Sequence, residues 1–318
     1  MDLRQLRYFA EVVEQGSLGK AAVRLGLSQP ALTKSLRLLE QELDVKLLER
    51  GSTGVSITAF GKTVYSHARA VSAELEHTRM EIDRLRGLDQ AFVQIGALPS
   101  VAGSLVASAV AAASNRSSRI AVRVVEKNHF ELLPALRRGE FDFVIGLAEQ
   151  GGGRIGEPEP GMRRRIILRD QLSIIVRAGH TLSTRTQVAA KDLVDYPWVF
   201  PMIDAIHRPI LEQFFRAAAV PPPLARIEST SVQFTKSVIL QTDHIGVLPA
   251  HVMARELAEG SLVRLPVQSD ALRRSVAIFY RERHPLSASA RILIRSLEQA
   301  CRSRVGEAPQ RRIMHSVN

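Results

Sequence analysis

The stretch from Ser17 to Glu40, SLGKAAVRLGLSQPALTKSLRLLE, sets the tightest limit on the fold. Two segments with helical spacing of their apolar residues flank a Gly-Leu-Ser break, so two short helices must meet across a tight turn. Ser17 is placed to cap the first, which faces Ala21, Ala22 and Leu25 inward, and Gly26 supplies the left-handed residue that closes it. Ser28 is placed to cap the second, and Pro30 falls in its first turn, where a missing N–H costs little. Leu32, Leu36 and Leu39 repeat at i, i+4 and i+7 as a buried stripe, and the Ala pair lets the helices approach closely, a helix-turn-helix in outline. The face that the leucines leave free carries Gln29, Thr33, Lys34 and Arg37. Gln pairs with adenine edges, Lys with guanine or phosphate, and Thr offers a hydroxyl and a methyl, the groups a major groove can use. Any amphipathic helix has a solvated polar face; cap, Gly turn, Ala pair and reader-type side chains together favour a DNA contact.

The flanks extend this unit. Leu3, Leu6, Phe9, Ala10 and Val13 mark one face of an earlier helix ended by Gly16. Downstream, ELDVKLLERGSTGVSITAFG predicts a buried Leu47-Leu48 pair, Arg50, a tip at Gly51 and Gly54, and a short strand. That is a small β-wing with Arg50 at its base, suited to a phosphate or the minor groove. From Thr58 one long helix is expected, with Val64, Ala68, Val71, Leu75, Thr78, Ile82 and Leu85 alternating in steps of four and three. Such a heptad seam predicts a coiled coil that joins two copies of the chain, ended near Gly87.

The run LRYFAEVVEQGSLGKAAVRLGLSQPALTKSLRLLEQELDVKLLER…ITAFG resembles the amino-terminal signature of LysR-type transcriptional regulators. The likeness is dense over residues 1–65, and the layout behind it is similar to about residue 300. It implies that Gln29, Pro30, Thr33 and Lys34 form the contacting start of a recognition helix and that Arg50 is the wing arginine. The sequence departs from the pattern at Thr53, where many members carry a second basic residue. The implied fold is α+β and multidomain: a winged helix-turn-helix (1–60), a linker helix (61–89), then a bilobed α/β effector domain like periplasmic binding proteins. Its first subdomain is expected at 90–163 and 268–303, its second at 164–267, and a basic, disordered tail at 304–318.

Beyond residue 90 strands and helices alternate, the pattern of a parallel sheet with crossover helices. In such sheets ligands lie beyond the carboxyl ends of strands. That rule selects Leu98, Pro99, Ser100 and Val101 after AFVQIGA, and Glu126, Asn128 and His129 after IAVRVVE. It also selects Leu147 after the third strand, Pro201 and Met202 after YPWVF, and Ser229, Thr230 and Ser231 after ARIE. Ser100 and the 229–231 group could offer hydroxyls and free N–H groups to an anion; the alternative is that each hydroxyl only caps its helix. In the family, loops like these hold small inducers, commonly organic acids, with a sugar or sugar acid as an alternative.

Charge alone decides little. The net charge is +11, but residues 1–90 hold 13 Lys/Arg against 12 Asp/Glu, so the excess of the chain's 43 basic over 32 acidic residues lies beyond them. The three arginines of MRRRII point different ways on a strand or loop and suit a solvated crossover or a subunit contact better than a second DNA patch. Cys301, the one cysteine, leaves no internal disulfide or Cys-rich zinc site, and the histidines show no paired metal spacing. No GxSxG, Walker loop, GxGxxG or paired carboxylates point to an enzyme or a resident cofactor. The amino terminus lacks a signal-peptide core, which weighs against a transport solute-binding protein and for a cytoplasmic chain without a membrane partner. Expected partners are double-stranded promoter DNA, a small-molecule effector, RNA polymerase and further copies of the chain, as a homodimer through the linker helix and a homotetramer.

Overall fold

Side-chain caps decide where the first helices begin. In the computed structural model, which describes residues 1–51, 54–86, 91–116, 120–150, 153–154, 161–202, 205–282, 284 and 286–305, α1 spans Leu3–Gln15. Asp2 accepts from the Gln5 N–H at 2.7 Å, and the Gln5 side chain returns the bond to the Asp2 N–H. Ser17 caps α2 (Leu18–Leu25), which Gly26 closes at φ 66°. Ser28 caps α3 (Gln29–Leu43) through the Ala31 N–H at 3.3 Å, with Pro30 in the first turn. Leu32 and Leu39 are fully buried and Leu36 nearly so, as the i, i+4, i+7 spacing requires.

Two expectations about apolar faces need correction. Leu3 is 54% exposed, while Val12 takes an inward place the single-stripe reading did not assign. The reason is that α1 is covered on two sides, by α2 and α3 over Phe9 and Val12 and by a later helix over Leu6 and Ala10. That helix is α4 (Ala59–Leu85), 27 residues long, whose Ala68 is fully buried against Leu6 and Ala10 with Val64 beside it. The first two positions of the heptad seam therefore belong to this unit's own core. Further along, Leu75 and Ile82 are 48% and 43% exposed.

Between α3 and α4 lies a hairpin of β1 (Leu48–Gly51) and β2 (Gly54–Ile57), with Arg50 opposite Val55. Gly54 has φ +127°, and a Cβ there would stand 2.8 Å from the Gly16 carbonyl oxygen, which accepts from the Val55 N–H at 3.1 Å. Only glycine permits that approach. Glu40 ties the end of α3 to the hairpin by accepting from the Leu47 N–H at 2.8 Å and the Leu48 N–H at 3.3 Å. Burial pushes its carboxyl pKa up, but those N–H groups and Lys46 outweigh it and hold the group below the ordinary carboxylate range.

The chain divides into two compact units, Met1–Gln90 with Pro134–Glu140, and Ala91–Leu133 with Phe141–Asn318. In the second, β3 (Ala91–Ala97) leads into α5 (Pro99–Val101), a π-helical turn at Ala102–Val106 and α6 (Ala107–Arg116). The helical run thus starts at Pro99, two residues after β3 ends. Next come β4 (Ile120–Glu126), α7 (His129–Arg137), β5 (Phe143–Gln150) and the short β6 (Gly153–Arg154). One 16-residue strand, β7 (Met162–Arg177), is followed by β8 (Trp198–Pro201), α8 (Arg208–Ala217), β9 (Ile227–Ser229) and α9 (Val232–Gln241). The chain continues with β10 (Ile245–Pro249), α10 (Ala254–Glu259), β11 (Leu262–Arg264), β12 (Arg273–Arg281) and α11 (Ala288–Val305).

The strand order is β4-β3-β5-β12-β7-β10-β8-β9, with β6 on β5 and β11 on β7. β3 pairs in parallel with β4 and β5, and β8 with β9 and β10. The sheet is nonetheless mixed rather than parallel throughout, because β12 runs antiparallel to β5 and β7, and β10 and β11 run antiparallel to β7. β7 carries the chain from one strand group to the other, its first part on β12 and its last part on β10 and β11. Successive β7 residues face opposite cores: Ile174 and Val176 join Trp198, Phe214 and Phe215, whereas Ile175 joins Val199, Ile239 and Leu248. Apolar cover on both faces is what central strands of an α/β sheet need.

Candidate nucleic-acid interface and effector site

The α3 cap and leucine stripe fix which side chains remain outward. Ser28, Gln29, Pro30, Lys34 and Arg37 are exposed and Thr33 is half-buried, so the expected reader face is open to solvent. Ala31, between them, is exposed as well. Arg50 sits in β1, one residue before Gly51 at the hairpin end. Thr53 lies outside the described residues, as does the tail beyond Val305. A short helix with Gln, Thr, Lys and Arg on one exposed face, flanked by an anchored hairpin, can present hydrogen-bond donors and acceptors to base edges.

In the second unit the chain delivers polar side chains from four separated places to one buried guanidinium. Arg274, at the start of β12, is completely buried, and its Nε and Nη2 donate to the two Asp170 carboxylate oxygens on β7 at 2.7 and 3.0 Å. Its Nη1 lies 2.9 Å from Nε2 of His207, the residue before α8, and 3.4 Å from the Ser100 hydroxyl in α5. Its Nη2 lies 3.0 Å from Nε2 of His251, in the turn after β10. A guanidinium has five N–H donors and no acceptor, so both Nε2 atoms must be unprotonated and accept. His251 then carries its proton on Nδ1 and donates to the Ser104 hydroxyl at 2.9 Å, which donates in turn to the Ser100 carbonyl. Burial, and next to it the neighbouring guanidinium, lowers the His207 pKa to about 3, consistent with a neutral ring. The residues that follow β3, β8 and β10 thus converge on the ion pair between β7 and β12, where the strand-end rule places a ligand.

The comparisons agree with both halves. Residues 3–62 match the family described as bacterial regulatory helix-turn-helix protein, lysR family, and residues 86–302 match the LysR substrate binding domain. The chain belongs to the LysR family of transcriptional regulators. It is similar to the HTH-type transcriptional regulator PcaQ of Agrobacterium fabrum, 30% identical over 299 residues, 93% of this chain and 94% of PcaQ. The HTH-type transcriptional regulator GbpR of Azospirillum brasilense is 29% identical over 97% of this chain and 89% of its own length. Among solved structures, ArgP from Mycobacterium tuberculosis shares the fold with a TM-score of 0.71 at 18% identity, covering 95% of this chain and 97% of that one. CbnR complexed with its target DNA shares it with a TM-score of 0.63 at 20% identity, covering 94% and 100%. This LysR-type protein is a DNA-binding transcriptional regulator with a substrate-binding domain, in a family of regulators rather than enzymes. No helix among the described residues is long and apolar enough to cross a membrane.

The structure separates the residues that the strand-end rule selected for this LysR-type chain. Ser100 joins the buried cluster. Leu98 and Val101 are core residues, almost fully and fully buried where β3 turns into α5, and Leu147 is fully buried within β5, which runs on to Gln150 rather than ending before it. His129 is likewise buried, accepts from the Leu147 N–H at 3.3 Å and is held neutral by burial with a pKa of about 4. Asn128 caps α7, exchanging bonds with Glu131. The Ser229 hydroxyl accepts from the Ser231 N–H, and Ser231 caps α9 through Phe234, so both serve their own turns. Pro99 is half-buried at the start of α5, Thr230 and Glu126 are exposed, Met202 is 40% exposed, and the Pro201 carbonyl accepts from Arg208. Sequence reasoning missed Asp170, His207, His251 and Arg274. The strand-end rule reaches His251 once it is applied after HIGVLP; nothing local marks Arg274, whose role depends on partners far away in sequence.

Proposed function

We propose that this regulator reads promoter DNA with Gln29, Thr33, Lys34 and Arg37, entering through Ser28 and Pro30, with Arg50 on the backbone or minor groove. We further propose that it senses a small organic acid at the end of the sheet where Ser100, His207, His251 and Arg274 meet. The observation that carries the sensing half is that three strand ends and the strands β7 and β12 supply one polar cluster around a buried guanidinium. A cation at its centre suits a carboxylate better than a neutral sugar, which stays the second reading because Ser100 and Ser104 also offer hydroxyls. Pro201, Met202 and Pro99 would line the approach, and the two subdomains are those at 90–163 with 268–303 and at 164–267.

The exposed Leu75 and Ile82 support pairing of two copies along the later part of α4. Two recognition helices would then read half-sites about one helical turn apart. A homotetramer acting in the cytoplasm with RNA polymerase completes the reading. Effector binding shifts the arrangement of the dimers only if the two arrangements differ in affinity for it. The test is a thermal-shift screen of organic acids, sugar acids and sugars on the full chain, followed by operator titration with each hit. Stabilisation by acids alone, with changed DNA affinity, supports the reading; stabilisation by neutral sugars alone replaces the ligand class.

A further inference from the structure

The cluster around Arg274 has an internal asymmetry. Among the described residues, of the acceptors that hold the guanidinium only Asp170 is charged; the other three are the His207 and His251 imidazoles and the Ser100 hydroxyl. Charged acceptors bind a guanidinium about twice as strongly as neutral ones. An incoming carboxylate therefore outcompetes the imidazoles but not Asp170. Among the described residues the cluster is also electrically neutral, one guanidinium against one carboxylate. A second carboxylate would bring an excess negative charge into a buried place, which is costly unless a proton accompanies it.

The two imidazoles are the groups able to take that proton. The titratable and charged groups of the cluster are Arg274 from β12, Asp170 from β7, His207 ahead of α8 and His251 after β10, with His251 Nε2 also 3.5 Å from Asp170. Arg208, next along the chain, is taken up by Glu212 and Glu228. We propose that a carboxylate ligand takes the Nη1 and Nη2 N–H groups of Arg274 from His207 and His251, and that its uptake carries a proton from solvent onto a released Nε2. The proton forms a new N–H bond on the imidazole, and the resulting cation faces the ligand rather than the guanidinium. Because His251 also holds Ser104, its release reaches the π-helical turn that follows Ser100. This deepens the sensing role given above and rests on it; it assigns the carboxylate anchor, the two residues displaced and a dependence of affinity on pH.

The experiment is nitrogen NMR of the full chain labelled at histidine, with acetate as the minimal carboxylate probe and acetamide and chloride as controls. His207→Gln and His251→Gln assign the two rings. Without ligand both rings should be neutral with the proton on Nδ1; a proton on either Nε2 overturns the proposal outright, because the guanidinium could not then donate to it. Acetate should shift at least one ring to the cationic form, acetamide and chloride neither, and acetate affinity should fall as pH rises. Arg274→Gln should weaken acetate binding roughly tenfold or more, and the Asp170→Asn/Arg274→Gln double variant repeats that measurement without a stranded buried charge. Equal responses to acetate and acetamide, or none, overturn the proposal. A compound that alters DNA binding without moving either ring overturns the anchor and leaves the sensing role standing. Acetate moving the rings while no compound alters DNA binding does the reverse.

Discussion

The two regions proposed to read DNA and to sense a ligand are built in opposite ways. On α3, the proposed reader face comes from nine consecutive positions, Gln29 to Arg37, and its polar groups stay largely exposed because the leucines between them consume the buried side. Around Arg274 the polar groups are buried or half-buried, and they come from residues 100, 104, 170, 207, 251 and 274. An exposed polar face costs little to maintain and is free to meet a partner. A buried charge must be matched donor by donor, so the second region is a constraint on the fold as well as the proposed place for a ligand.

That contrast is best broken at Arg274. Arg274→Ala leaves Asp170 without its partner, and the expected loss is about 3–5 kcal/mol of unfolding free energy, read by denaturant titration. Replacing both residues by apolar ones should cost clearly less than the single change; equal costs would show that the pair does not act as a unit. On α3, Gln29→Ala should leave stability almost unchanged while weakening specific DNA binding by about 1–3 kcal/mol and relaxing base preference. A uniform loss on random DNA would assign the residue to phosphate instead.

Acid sharpens the difference further. His129 and His207 are held neutral, with folded pKa values of about 4 and about 3 against an ordinary 6.5. Between those values the unfolded chain binds more protons than the folded one, so stability is full above about pH 6.5 and declines as pH falls through the window. From pH 7 to 5 each ring should contribute a loss of about 1–2 kcal/mol, and His207→Gln should flatten the slope by its share. A slope unchanged in that variant would place His207 in solvent. The smallest effect belongs to the helix cap: Ser28→Ala should cost about 1 kcal/mol, with DNA binding following stability.

Legibility followed the same division. The caps at Ser17 and Ser28, the left-handed Gly26 and the leucine stripe depend on neighbours within four residues, so the sequence displays them. The heptad seam misled at Val64 and Ala68 because spacing reports an apolar face without naming what covers it, and here α1 covers it. In the sheet, strand identities were readable, while the antiparallel β12 between β5 and β7 was not, since pairing joins residues more than a hundred positions apart. Ser100 was found by a rule about strand ends; Arg274 and Asp170 sit on strands, where an isolated charge reads as an outward residue until the partner is seen.

The most direct measurement is selection of bound fragments from a genomic DNA library by the full-length protein, run beside Gln29→Ala. The wild-type chain should enrich discrete sites containing two half-sites about one helical turn apart, and the variant should lose that enrichment while retaining weak, salt-sensitive binding. Identical enrichment by both proteins, or none by either, would contradict the assignment of the α3 polar face as the DNA reader.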